Sequence, residues 1–382
     1  MPSGSSSHYR IAGPAPEACT LQAITTVDCG GELVRIATRK RFWFAALVGV
    51  AILIYTLKHA NLHRFVENFG DIKPFWAFIV VVSAFLSYIC IAGVLKKLLR
   101  GISLPVSFGA CFKITLLSNT LNSLMSMAGL SGVAAKVYLL SREDIPPSNT
   151  LSVSIIHGFL TNTIAVLFIY LGFFYLYSQH QITDRKEVLF GVMVLLVAFL
   201  LTFVTIQTII HEGFRTKLWH LGIRAVTAFC ARISKPHWIR MERAEAFFEN
   251  FNGSLNLIMR NRGVLLAPAT LALFDWLFMF LCLKFSFVSI GYPVGNKVLM
   301  VGFSVGLFTS MFSLTPASIG LMEGSMAGAF YLMGLDYDLA LLAILIYRVA
   351  YYFLPIGVSV LFLKRFFPGT DLANRGKEFT KA

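Results

Sequence analysis

The chain has 382 residues, 57% of them hydrophobic and only 14% charged, with a formal net charge of +14. A soluble domain carries about 25% charged residues. The composition therefore excludes an ordinary soluble enzyme and points to a polytopic all-α integral membrane protein. The basic excess does not indicate nucleic acid, because no nucleic-acid-binding motif accompanies it. In a membrane protein such charge belongs to loops that set topology and touch anionic lipid. The six cysteines (Cys19, Cys29, Cys90, Cys111, Cys230 and Cys282) are scattered without paired spacing, which argues against a disulfide framework or a zinc site.

In chain order, residues 1–40 are polar and rich in Ser, Pro and Gly. No short basic start leads straight into an apolar run, so this is no secretory signal peptide. The segment reads as a disordered tail ending at Arg39, Lys40 and Arg41. Long apolar runs follow at about 42–57, 74–95, 150–177, 188–210, 264–290 and 339–363, each a candidate for a span of roughly 20 residues. Two further segments, 105–140 and 298–334, are apolar but broken by Gly, Ser, Asn and Pro.

Loop charge gives the orientation. Lys96, Lys97 and Arg100 follow the second run, nine Lys or Arg lie in the connection 211–263, and Lys364 and Arg365 follow the last run. These stretches are expected to be cytoplasmic, with both chain termini. Parity then requires 105–140 to begin and end inside and 298–334 to begin and end outside. Both are too short for two full spans and a turn, so each is read as a re-entrant hairpin of two half-depth helices. The runs starting near 74 and 150 enclose the first hairpin, and those near 264 and 339 enclose the second at almost the same separation. The expected architecture is six spans plus two re-entrant hairpins in an inverted repeat, an arrangement used by transporters. Its units are 41–210 and 264–366. They are joined by a cytoplasmic, aromatic and basic connection at 211–263 that suits interfacial amphipathic helices, and they are followed by a tail at 367–382.

Charge inside an apolar run is costly, so each instance is a candidate site: Lys113, Lys136, Asp275, Lys284, Glu323 and Arg348, with His157 and Asn162 as milder cases. Lys113 and Lys284 fit snorkelling to an interface. Glu323 and Arg348 fit an ion pair, a transport path, or both. The breaks carry the most information. The first runs from Ser126 through Gly129, Ser131 and Gly132 to Lys136; the second runs from Thr315 through Pro316, Ser318 and Gly320 to Glu323 and Gly324. Ser131 and Ser318 are expected to cap the helices that follow. A helix start at membrane depth leaves N–H groups that need a partner, and its dipole favours an anion such as a phosphate. Lys136 would reinforce that attraction. The alternative is that the glycines only permit close packing, a reading that the small-residue motifs Gly302-x-x-x-Gly306 and Gly324-x-x-x-Gly328 fit.

The chain carries no H-E-x-x-H, G-x-S-x-G, P-loop or dinucleotide fingerprint. No catalytic residue, metal or cofactor is therefore assigned.

The stretch Thr315-Pro316-Ala317-Ser318-Ile319-Gly320-Leu321-Met322-Glu323-Gly324, followed by a Gly/Ala-rich helix and Tyr347-Arg348-Val349-Ala350-Tyr351-Tyr352, resembles the C-terminal signature of the lysylphosphatidylglycerol synthase transmembrane family. Gly129 to Lys136 resembles that family's earlier Gly-rich segment, and the resemblance covers about 41–366. It implies lipid handling. Full-length members join such a membrane unit, a flippase for aminoacylated phosphatidylglycerol, to a cytoplasmic aminoacyl-transferase domain, and many other members are stand-alone membrane units. The expectation is a stand-alone unit in a bacterial cytoplasmic membrane that moves an anionic or phosphate-bearing lipid between leaflets. Its headgroup site would use Gly129, Ser131, Gly132, Lys136, Pro316, Ser318, Gly320, Glu323, Arg348 and Asp275. Membrane lipids are the expected partners and nucleic acid is not; a homo-oligomer and lipid-synthesis enzymes stay open. The alternatives are a non-catalytic partner of a lipid or cell-envelope synthesis complex, and an intramembrane lipid-modifying enzyme. The orientation is checked by single cysteines and an impermeant thiol reagent: positions in 141–149 are expected to react only from the cytoplasmic side, and positions in 335–338 only from outside.

Overall fold

Apolar runs long enough to cross a bilayer leave the backbone no water to bond with, and the helix satisfies its N–H and C=O groups locally. The computed structural model describes residues 47, 50–55, 70, 72–125, 130–179, 185–232, 241–260, 263–312 and 315–366. The expected tails at 1–40 and 367–382, Gly129 and most of the first apolar run lie outside the described residues. Among those described, every regular element is helical and none is a strand.

The helices are α1 (Pro74–Gly101), α2 (Phe108–Met125), α3 (Leu130–Ser141), α4 (Pro147–Gln179), α5 (Arg185–Ile210), α6 (Glu212–Arg232), α7 (Met241–Arg260), α8 (Gly263–Ser289), α9 (Asn296–Phe312), α10 (Leu321–Leu332), α11 (Tyr337–Arg348) and α12 (Leu354–Phe366). A 3-10 turn at Pro316–Ser318 precedes α10, and a π-helical turn at Val349–Phe353 joins α11 to α12. By length and composition, α1, most of α4, α8 and the continuous stretch Tyr337–Ser359 can each cross a membrane. Their outward faces agree. Phe75, Phe78 and Phe85 on α1 are exposed, as are Met193, Leu196 and Phe199 on α5. A contiguous apolar surface of this kind is a liability in water and costs nothing in lipid. The protein is an all-α membrane protein.

Two sets of four elements repeat. A long helix, a pair of shorter ones and a second long helix occur as α1 to α4, and again as α8, α9, α10 and α11–α12. The long first helices have 28 and 27 residues, the second helices 18 and 17, and the third helices 12 and 12. The members of each short pair pack on each other. The two helices of each pair differ in length. At 1.5 Å per residue the longer arms extend about 27 and 26 Å and the shorter arms about 18 Å. The first segment's longer helix runs past its middle to Met125, and the second segment is interrupted at its middle, where proline and glycine fall between Phe312 and Leu321.

α1 and α8 form the central pair and run antiparallel along their whole length. Near one end the Lys73 N–H donates to the Ser289 carbonyl at 2.8 Å and Trp76 stacks on Phe285; midway Ser87 meets Asp275; toward the other end Gly93 lies against Leu271 and Gly101 against Val264. The two sets then cross-pack, the last helix of each lying on the second helix of the other. Ser304 of α9 donates to the Phe168 carbonyl of α4 at 2.6 Å, and the Ser359 hydroxyl of α12 lies 2.7 Å from that of Thr120 on α2.

The connection expected to lie along the interface is helical as α6 and α7. α7 is not a free surface helix: Phe251, Leu255 and Ile258 are buried in the apolar core shared by α1 to α4. Arg215, 2% exposed, ties this piece to α5. It donates to Asn252 at 2.8 Å and Asn256 at 2.7 Å on α7, and to the Ile209 carbonyl at 2.9 Å at the α5 terminus. A guanidinium suits this place because its fixed fork reaches several acceptors at once and its charge favours a helix C-terminus.

The α4–α9 contact depends on Gly172. A Cβ built there would lie 2.0 Å from the Ser304 hydroxyl and 2.7 Å from the Met300 carbonyl. Gly172→Ala is expected to destabilise the fold by about 1–3 kcal/mol, read as a lowered unfolding temperature in detergent. Gly158→Ala on the same helix, where nothing lies within 4 Å, is expected to leave that temperature unchanged.

Candidate functional site

The second break is built around one buried guanidinium. After Thr315 the chain enters the 3-10 turn at Pro316 and then takes left-handed backbone at Ala317 (φ 52°), Ser318 (φ 54°) and Gly320 (φ 82°). Left-handed conformations are uncommon outside glycine and persist only where surrounding contacts impose them. Arg348, at the end of α11 and fully buried, supplies those contacts. Its Nη2 donates to the Ala317 carbonyl at 2.5 Å, its Nε to Glu323 Oε1 at 2.9 Å, and its Nη1 to the Met322 sulfur at 3.2 Å. The guanidinium also faces the Tyr352 ring, 4.4 Å from its centroid, a cation–π contact. Glu323, 1% exposed, turns its other oxygen back to accept the Gly320 N–H at 2.8 Å. This is half of a capping box, since glycine has no side chain to return the bond. Ser318 does not cap: Gly320 is the N-cap of α10. Extending the turn by two left-handed residues moves the helix start past the serine.

Beyond Arg348 the helix widens into the π turn. Pro355 has no N–H for the Tyr351 carbonyl four residues earlier, and that carbonyl accepts from the Tyr88 hydroxyl of α1 at 3.3 Å. Tyr351 also lies 3.3 Å from the Ser87 hydroxyl, and Ser87 donates in turn to Asp275 of α8. Asp275, 6% exposed, has no ion-pair partner among the described residues. Arg348 and Asp275 are thus tied to the same five-residue turn from two sides.

The first break is made differently. Ser131 lies within the first turn of α3 rather than before it, so it is not the N-cap; its hydroxyl donates to Asn122 of α2 over a long 3.4 Å. Gly132 is where α2 and α3 touch, since a Cβ there would sit 3.0 Å from the Asn122 Cβ and 3.2 Å from the Ser118 carbonyl. Lys136, one turn further along, is partly buried and forms no ion pair among the described residues. Behind it on α4, His157 is buried and its Nδ1 has no hydrogen-bond partner. α2 also packs against the Pro316–Ser318 turn, so an arm of the first pair touches the second break.

The candidate residues therefore fall into two groups. Pro316, Ser318, Gly320, Glu323 and Arg348 make one cluster, with Asp275 joined to it through Ser87 and Tyr351. Ser131, Gly132 and Lys136 make the other, and none of the hydrogen bonds or ion pairs in the structure links Lys136 to Glu323, Arg348 or Asp275. Ser87, Tyr88, Tyr351 and Tyr352 were missed from sequence. Only Tyr351 and Tyr352 had a signal, their place three and four residues after Arg348; a serine or a lone tyrosine in an apolar run has none. An apolar cavity of about 310 Å³ opens between α1, α2 and α12, walled by Phe85, Tyr88, Phe112, Ala350 and Leu354.

Fold and site define an α-helical integral membrane protein whose buried charges gather at or beside helix breaks. The chain belongs to the lysylphosphatidylglycerol synthase TM region family, whose profile matches residues 42–359. It is 22% identical over 337 residues to a phosphatidylglycerol lysyltransferase of Staphylococcus haemolyticus, covering 86% of this chain and 34% of that protein. The chain therefore spans about a third of the length of that relative. It is 19% identical to the UPF0104 membrane protein MJ1595 of Methanocaldococcus jannaschii, covering 84% of this chain and 94% of that protein. A UPF0104 membrane protein of Methanothermobacter thermautotrophicus is 24% identical over 120 residues, covering 31% of this chain and 34% of that protein.

Removing one member of a buried pair strands the other charge. Glu323→Ala is expected to cost about 3–5 kcal/mol, seen as a large drop in unfolding temperature or in folded yield. Adding Arg348→Leu to that variant is expected to recover part of the loss. A double variant no more stable than Glu323→Ala would show that the stranded charge is not the cause.

Proposed function

We propose that this protein is a lipid translocase that moves an anionic or phosphate-bearing lipid between the leaflets of a cell membrane. The observation that carries this reading is the duplicated unit: two sets of long helix, unequal broken pair and long helix, with first helices antiparallel to each other. Inverted repeats with interrupted helices lining a midplane site are an architecture of transporters. In this reading α2–α3 and α9–α10 are re-entrant hairpins, and six spans complete the fold with both termini cytoplasmic. The halves are 41–210 and 264–366, joined through 211–263.

The headgroup phosphate binds at the first break. Lys136 is the attractive charge, a cation in the apolar body with no acid beside it among the described residues, and Ser131 and Gly132 supply hydroxyl and backbone donors; Gly129, expected at the same break, lies outside the described residues. Pro316, Ser318 and Gly320 form the opposing wall, held in shape by Glu323 and Arg348, and Asp275 lies beside the path. The acyl chains stay in lipid and use the apolar cavity between α1, α2 and α12. The relative named as a phosphatidylglycerol lysyltransferase supports a phospholipid as cargo. The proposed role is a non-enzymatic one, and among the described residues no nucleophile–base constellation favours lipid chemistry instead. Its partners are lipids, with a second copy or lipid-synthesis enzymes as candidates for assembly.

The test is flipping of headgroup-labelled lipid in proteoliposomes, read with an impermeant quencher. Wild type is expected to expose inner-leaflet anionic lipid to the quencher. Lys136→Ala is expected to slow this about tenfold, the effect of losing about 1.4 kcal/mol of attraction, at unchanged thermal stability. Rates equal to those of protein-free vesicles for every anionic and zwitterionic lipid tried, with folded protein, would refute the reading.

A further inference from the structure

Among the described residues two carboxylates, Glu323 and Asp275, lie buried, and they are treated in opposite ways. Glu323 receives a guanidinium and a backbone N–H. Asp275 is almost as deeply enclosed, yet among the described residues its only side-chain donor is the Ser87 hydroxyl. Among the described residues the groups that face it are Ser87, Tyr88 and Cys90 from α1 and Tyr351 from the π turn, none of them a cation. The Tyr88 hydroxyl is already committed to the Tyr351 carbonyl. Membrane proteins retain an uncompensated acid at depth where it carries ions or protons, and where two acids sit in contrasting environments their roles separate.

We propose that Asp275 is a proton-binding site and that Ser87 and Tyr351 transmit its state through the π turn to the Arg348–Glu323 clamp. The inference deepens the translocase reading by naming the coupling ion, and it rests on that reading only for the cargo. The step balances simply: the carboxylate takes a proton from hydronium, leaving water and a neutral acid. Ser87 has one hydroxyl hydrogen and two neighbours, so the chain of bonds has two directions. With Asp275 ionised, Tyr351 donates to Ser87 and Ser87 to Asp275. With Asp275 protonated, the acid donates to Ser87, Ser87 turns to the Tyr351 oxygen, and the tyrosine hydrogen must find another acceptor. Tyr351 sits in the π turn, with Tyr352 beside it against Arg348. A π turn is a local insertion in a helix and often sits at functional positions; moving its bulge by one residue rotates these two tyrosines relative to the helices around them. Proton arrival at Asp275 therefore biases the element that holds the second break.

The experiment is infrared difference spectroscopy of the purified full chain in lipid nanodiscs, stepped through pH, alongside flipping rates over the same range. A protonated-carboxyl band that titrates is expected in wild type and in Glu323→Gln. It is expected to vanish in Asp275→Asn and to shift its midpoint by about one pH unit in Ser87→Ala, the scale of one lost hydrogen bond. Tyr351→Phe is expected to keep the band and to remove the pH dependence of flipping. A band unchanged in folded Asp275→Asn, or no titrating band at all, overturns the proton site. The titrating band with pH-independent wild-type flipping overturns the transmission through Tyr351. The band with no flipping of any lipid leaves Asp275 a proton site and defeats the translocase reading instead.

Discussion

A guanidinium without water is the constraint on which the second half of this structure turns. Arg348 is fully buried, and in an apolar surround its charge and its donors all have to be answered by the protein. Glu323 answers the charge, Ala317 and Met322 take two donors, and Tyr352 covers a face. The same contacts hold two non-glycine residues in left-handed backbone and fix where α10 begins. Ion pair, turn and helix start are thus one device, and loss of any member exposes the others.

The first break obeys the same rule about buried polar groups but is solved with small residues instead of charge. Gly132 lets α2 and α3 approach until the Asn122 side chain touches the backbone. Among the described residues no carboxylate pairs with Lys136. That asymmetry between otherwise matched units is informative: one break has its charges satisfied internally, whereas the other keeps a cation in reserve. In the proposed function the first receives the phosphate and the second gives shape to the opposing wall.

The π turn connects these local facts to the central helix pair. It arises where Pro355 cannot donate, and the carbonyl left over is taken by Tyr88 of α1. Through Ser87 the same turn touches Asp275 of α8. The antiparallel α1–α8 pair and the clamp at α10 therefore share one short segment, and a change in either is felt by the other.

The sequence by itself determined the long helices, because an apolar run in lipid has only one way to satisfy its backbone. The runs near 74, 150, 264 and 339 correspond to α1, α4, α8 and α11–α12. The breaks were legible too, since Gly and Pro stand out in apolar surroundings, as do Lys136, Asp275, Glu323 and Arg348. The unequal arms, the true cap at Gly320 and the inward position of Ser131 were not legible, because propensity says where a helix can start and tertiary contacts decide where it does. The sequence already offered Glu323 and Arg348 as an ion pair, and the structure brings them to 2.9 Å; only the tertiary structure decided that Arg348 also holds the Ala317 carbonyl and that Asp275 belongs to Ser87, 188 residues away. A buried polar side chain takes the partner that packing brings to it, and no spacing along the chain encodes a contact made between distant helices.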